Sequence, residues 1–174
     1  MRIAVVGPPV GLSGGPSSFR AAVERAFKSS GHHVVDGLES GVPDAVLVIG
    51  GTRHLFRLLR LRRGGCTIVL RLDGVPTAIS KRLPLRVHLK QRGRLIEIML
   101  LRAFVATRII YQSDFSYRSW RGLWLGSRRQ PPSTVVHNGT ELDVFSPAAS
   151  RLPQIVVVEG SIDAVDRGVE LVSK

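Results

Sequence analysis

The residues best placed to do chemistry sit just after short apolar runs. Asp73, in Leu70-Arg71-Leu72-Asp73-Gly74, puts a carboxylate where a strand should end. From there it could bind a hydroxyl or assist a proton transfer, or it could pair with Arg71 or cap the turn. Gly14-Gly15-Pro16 opens a helical pattern. Two glycines admit a close backbone approach, Pro suits the first turn, and the free N–H groups there favour an anion. His137-Asn138-Gly139 reads as a turn, and Ser113 and Asp114 in Tyr111-Gln112-Ser113-Asp114-Phe115-Ser116 read as helix caps.

Other chemistries lack their residues. The glycines after the first strand miss both the Gly-x-Gly-x-x-Gly spacing of dinucleotide sites and the Gly-Lys-Ser/Thr of a P-loop, which disfavours a nicotinamide-dependent enzyme. The five histidines have no metal-ligand spacing, so neither a metal nor another cofactor is expected, and no Gly-x-Ser-x-Gly elbow occurs. Cys66 is the single cysteine and reads as core.

These positions need elements to hold them. Apolar runs at Ile3–Val6, His33–Val35, Ala45–Ile49, Thr67–Leu70, Arg108–Tyr111 and Thr134–His137 read as six strands. Between them, Phe19, Ala22, Val23, Ala26 and Phe27 recur at helical spacing, ended by Gly31. Leu55–Leu61 predicts a short basic helix stopped by Gly64-Gly65. Leu95–Ala106 predicts an apolar helix and Phe115–Leu125 another. Strands alternating with helices imply a Rossmann-like, doubly wound parallel sheet of the α/β class, whose ligands bind at the strands' carboxyl ends. A linker is expected at Pro147–Pro153. Ile155–Gly160 and Val165–Val172 then read as one further βα unit. The expected organisation is a domain over 1–147 and the start of a second over 148–174.

The 174 residues carry a net charge of +12, unevenly spread. Between Arg53 and Arg129 there are 18 Lys/Arg against three acids, whereas the rest of the chain is slightly acidic. Such a region attracts a polyanion, an anionic membrane or a phosphorylated substrate, although 21 of the 25 basic residues being Arg also fits GC-rich codon usage. Arg53, Arg57, Arg60, Arg62 and Arg63 interleave with Leu and Phe, and Lys81 and Arg82 open a second such stretch, so these are the expected membrane or anion contacts. Nucleic acid is disfavoured, because aromatic-basic interleaving and a recognisable module are missing. No apolar run reaches the roughly 20 residues of a membrane span, and no signal peptide is legible. A cytoplasmic protein, peripheral to the inner membrane face at most, is expected.

Several motifs, in order, resemble the first domain of GT-B glycosyltransferases of the retaining family 4 type. They are the Gly-Gly turn at Gly14-Gly15, the Arg-x-Asp-Gly of Arg71–Gly74, the Gln-Ser-x-Phe-Ser of Gln112–Ser116, and Ser133–Pro147 with its Asn138-Gly139 turn. The resemblance implies transfer of a sugar from a nucleotide-sugar to a saccharide or lipid-linked acceptor, without a metal. It places Gly14, Gly15, Arg71, Asp73, Asn138 and Gly139 around donor and acceptor, with Asp73 as the one catalytic candidate. The family's donor grip, two Glu separated by seven residues, belongs to its second domain. The expectation is therefore an acceptor-side half that is inactive alone. The alternative is a non-catalytic basic domain that binds anionic membranes or phosphorylated glycans.

Overall fold

The computed structural model describes residues 1–10, 15–38, 41–75, 85–123 and 130–139. Gly14, Lys81, Arg82 and the expected second unit over 148–174 lie outside the described residues.

Six strands form one all-parallel sheet: β1 (Arg2–Val6), β2 (His33–Asp36), β3 (Ala45–Ile49), β4 (Thr67–Leu72), β5 (Arg108–Tyr111) and β6 (Ser133–Val135). Their order is β2-β1-β3-β4-β5-β6. The chain thus steps one way from β1 to β2, returns past β1, and steps the other way from β3 to β6. Right-handed crossovers in opposite directions put their helices on opposite faces. Accordingly α1 (Gly15–Ser29) lays Phe19, Val23 and Phe27 on Val5, Leu47 and Ile49. On the other face α2 (Leu55–Arg63), α3 (Leu85–Leu100) and α4 (Asp114–Arg121) cover Ala4, Val6, Val46, Val48, Leu70 and Leu72. Ile68, Leu70, Leu72 and Ile109 are each about 1% exposed, and full burial of such a side chain contributes roughly 1.5–3 kcal/mol. This is the Rossmann-like arrangement the strand and helix alternation predicts.

The helix ends follow local chemistry. Gly31 (φ +78°) closes α1 by donating to Lys28 O at 3.0 Å, while His32 N–H donates to Phe27 O at 2.9 Å. Gly65 (φ +88°) closes α2 in the same way, with donations to Arg62 O and from Cys66 to Leu61 O, both at 3.0 Å. A left-handed residue is needed at each, which glycine supplies without strain. Ser113 caps α4 as its sequence predicts: its Oγ accepts from Ser116 N–H at 3.1 Å.

Several boundaries differ from expectation: β2, α2 and β4 run one or two residues further, to Asp36, Arg63 and Leu72, and three elements differ more. α3 begins at Leu85 rather than Leu95, because the basic stretch before Leu95 is rich in Leu, Arg, Lys and Gln, straight-chain residues that lose little freedom in a helix. It runs on into a π-helical segment, Leu101–Val105, in which Ala106 N–H reaches back five residues to Leu101 O at 2.8 Å. α4 stops at Arg121, where Gly122 caps it, short of Leu125, and β6 ends at Val135 rather than His137.

Candidate functional site

The last residues of β4 alternate in direction. Leu70 and Leu72 point into the larger core, and Arg71 between them points to the face of α1. Arg71 is only 2% exposed, and its guanidinium carbon lies 3.7 Å from the centroid of the Phe19 ring on α1. A buried cation needs partners, and the ends of three neighbouring strands provide them. Arg71 Nη1 donates to Asp73 Oδ1. Its Nη2 donates to Gln112 Oε1 at 3.2 Å and to Asn138 Oδ1 at 2.8 Å. Asn138 Nδ2 in turn approaches Gln112 Oε1 at 3.4 Å. Burial lowers the Arg71 pKa from its ordinary value, with the Asp73 charge acting in the opposite sense.

Arg71, Asp73 and Asn138, picked out by the sequence, therefore stand together, and the pairing of Asp73 with Arg71 is real. Gln112, which the sequence placed in a resemblance motif without giving it a binding role, is the fourth member. Its position at the end of a strand was the available signal. The backbone beneath is fixed from α4. Ser116 Oγ donates toward Leu72 O at 3.0 Å and Asp73 O at 2.7 Å, and Trp120 Nε1 donates to Asp73 O at 2.7 Å. With Oδ1 held by Arg71, the Asp73 side chain remains 34% exposed. Gly139 lies exposed beside Asn138, and Gly15 lies exposed at the start of α1.

Beside this cluster lies an open cleft of about 500 Å³, lined by Gly7, Pro8, Gly51, Thr52, Arg53, Lys90, Arg94 and Glu97. It lies between the ends of β1 and β3, where the strand order reverses, the usual ligand position of an open α/β sheet. Gly50 N–H donates to Arg71 O at 3.1 Å, so the cleft and the cluster share one edge of the sheet. The β1 wall is held by α1. Ser17 Oγ donates to Pro9 O at 2.8 Å, and Arg20, 5% exposed, donates to Gly7 O at 3.2 Å and Pro8 O at 3.1 Å. Arg20 also pairs with Glu24 at 2.7 Å and Asp36 at 2.6 Å. Burial pulls its pKa down, but these two carboxylates outweigh it and the net shift is upward.

The remaining basic residues divide. Arg53 lines the cleft. Arg57 turns back to donate to Leu38 O, and Arg62 donates to Phe104 O. Arg60 and Arg63 are exposed on α2, whose Phe56 is 85% exposed. Among the described residues no cluster of His, Cys, Asp and Glu could hold a metal ion, and no helix is long and apolar enough to cross a membrane.

Fold and site define an α/β domain of Rossmann-like arrangement with a polar, cationic rim at the carboxyl edge of its sheet. No protein-family model, curated protein or solved structure matches the chain.

Proposed function

We propose that this domain is the acceptor-side half of a GT-B type glycosyltransferase, which moves a sugar from a nucleotide-sugar to a saccharide or lipid-linked acceptor. The observation that carries the reading is the clamp on Arg71. One buried guanidinium gathers Asp73, Gln112 and Asn138 from the ends of three strands, and these residues belong to the motifs behind the family resemblance. In this reading the Asp73 carboxylate, its plane fixed by Arg71, accepts a hydrogen bond from an acceptor hydroxyl and orients that oxygen. Asn138 and Gly139 border the same space. The gain is positional, since a held hydroxyl spends less of the barrier on orientation.

Saccharide binding to the chain tests this directly. Saturation-transfer NMR against a panel of mono- and disaccharides is expected to show binding that Asp73→Asn and Asn138→Ala weaken while circular dichroism is unchanged. No binding to the unaltered chain, or equal binding in both variants, would overturn it. The chain by itself is expected to turn over UDP- and GDP-sugars poorly, and robust transfer would refute the half-enzyme part.

A second reading, a basic domain that lies on anionic membranes, is favoured by Phe56, 85% exposed on α2 next to exposed Arg60 and Arg63. Each Arg near an anionic surface would contribute about 1 kcal/mol. Sedimentation with anionic vesicles that is lost at high salt and in Phe56→Ser supports it. Salt-independent or absent sedimentation counts against it.

A further inference from the structure

We infer that the solvent face of α3 and of the π-helical segment after it is a docking surface, and that its occupant is the acidic segment 159–172 of the same chain, independently of the transferase reading.

The face is apolar where polar residues would be expected. Leu89, Ile96 and Phe104 are 58%, 57% and 58% exposed, whereas Ile98, Leu101 and Val105 on the other side are buried. Leu89 and Ile96 stand seven residues apart, two turns along one line of the helix. A π turn takes up one residue more than an α turn, so Phe104, eight residues after Ile96, comes round toward the same line. Gly93 lies between Leu89 and Ile96, and a Cβ there would meet nothing within 4 Å. The row therefore has a notch between two large side chains, a shape that receives a side chain of a second helix and that a bilayer does not need. Single exposed apolar residues are ordinary, but three in line on one helix mark an interaction surface.

The flanks are cationic. Arg86, Lys90, Arg92 and Arg94 are exposed on α3 against one carboxylate, Glu97, and none of the four pairs with an acid among the described residues. Helical geometry sets Arg92 on one side of the Leu89–Ile96 line and Arg86 and Lys90 on the other. A groove of about 540 Å³ continues the surface at Phe104, with Leu59, Pro131, Arg62 and Arg63 in its lining. A second copy of this face would set like charges against each other, whereas an acidic helix would neutralise them.

The chain holds such a sequence. From Glu159 to Val172 there are four acids, Glu159, Asp163, Asp166 and Glu170, against one base, Arg167. Ile162, Val165, Val169 and Val172 recur at intervals of three and four residues, the apolar line of a helix, and Ser161 suits its N-cap. A helix this short does not hold in water alone and needs a partner for its apolar line. Reach is ample. The described residues end at Gly139, and the twenty residues 140–159, at about 3.3 Å each, span up to about 66 Å, about twice the breadth of a small domain.

Carbodiimide coupling of the full chain tests the docking, because it joins a lysine amine to a carboxylate only where the two touch. Mass spectrometry is expected to find Lys90 joined to Asp163, Asp166 or Glu170 within the monomer, and Lys28, exposed on α1, not joined to them. Ile96→Ser and Leu89→Ser are expected to lower the yield at least about tenfold at unchanged circular dichroism. Gly93→Leu, which fills the notch and favours the helix, is expected to lower it as well. Val42→Ser, at an exposed apolar site outside α3, is expected to leave it unchanged. No coupling of Lys90 to the segment, equal coupling of Lys28, or coupling found only between chains would overturn the assignment. Sedimentation with phosphatidylglycerol vesicles that Ile96→Ser abolishes, without Lys90 coupling, would give the face to a membrane instead.

Discussion

Arg71 Nη2 donates to Asn138 Oδ1 across 2.8 Å, joining residues 67 positions apart in the chain. The bond ties the loop after β6 to the end of β4, two strands away in the sheet. It makes the carboxyl edge of the sheet a single polar surface, on which a ligand would meet Asp73, Gln112 and Asn138 in fixed relation.

That clamp should be costly to remove. Arg71→Met keeps much of the stem's packing on Phe19 but leaves Asp73 and Asn138 without their donor. Breaking a fully buried charge pair costs about 3–5 kcal/mol. Asp73 is partly exposed and can rehydrate, so a smaller loss, about 1–3 kcal/mol, is expected from urea unfolding. Arg71→Lys should recover only part, because an ammonium cannot serve three acceptors in the geometry of a planar fork.

The central strands were legible because β1, β3 and β4 are apolar runs buried along most of their length, whereas the edge strands β2 and β6 are exposed or half-buried and were marked only by short Val-containing runs. The Arg71 side chain was placed at the site by motif, yet its burial was not legible. Nothing in the sequence says that Phe19, from a helix some fifty residues earlier, lies under the guanidinium. The cleft was harder still. Gly7, Gly51, Lys90 and Arg94 come from three separate segments, and only the reversal in strand order brings them together. The spacing of Lys90, Arg94 and Glu97 is a usable signal only because α3 begins at Leu85, ten residues before the helix the apolar pattern predicts.

Glycines at the site should separate by what surrounds them. Gly7→Ala places a Cβ 2.9 Å from Ile49 Cβ, a branched carbon on a buried strand that cannot swing away. Overpacking of this kind costs about 1–3 kcal/mol. A Cβ on Gly139 meets nothing within 4 Å. Gly139→Ala should therefore leave the unfolding midpoint unchanged and, in the transferase reading, affect only ligand binding. Equal destabilisation in the two variants would contradict the packing.

Alkaline pH should weaken the fold. Burial raises the pKa of the Cys66 thiol, with the Asp44 charge adding to it. Burial also raises that of Tyr111, against the opposing influence of the Arg102 cation. Tyr111 is 0% exposed, so burial decides the direction. In both groups the folded state favours the neutral form. Their contribution is complete below the unfolded values, about 8.5 for Cys and 10 for Tyr, and is lost as pH rises toward the higher folded values. Thermal midpoints should fall with pH above about 8.5, and less steeply in Cys66→Ala and Tyr111→Phe. The Cys66 thiol should also resist Ellman's reagent until the chain is unfolded.

Ser116 and Trp120 offer the sharpest test of how α4 holds the site. Both donate to Asp73 O, and Ser116 is fully buried, so each variant leaves that carbonyl with one donor where two stood before. Ser116→Ala also releases Leu72 O, which still accepts from Gln112 N–H at 3.1 Å. Each single loss is expected to cost about 1–2 kcal/mol, with Trp120→Phe adding a packing defect. The double variant leaves the partly buried Asp73 O without either donor, so its cost should exceed the sum of the two by about 0.5–3 kcal/mol. Urea unfolding of the four chains measures this coupling. Strict additivity would mean that the two donors act independently and that α4 does not clamp the end of β4 through a shared acceptor.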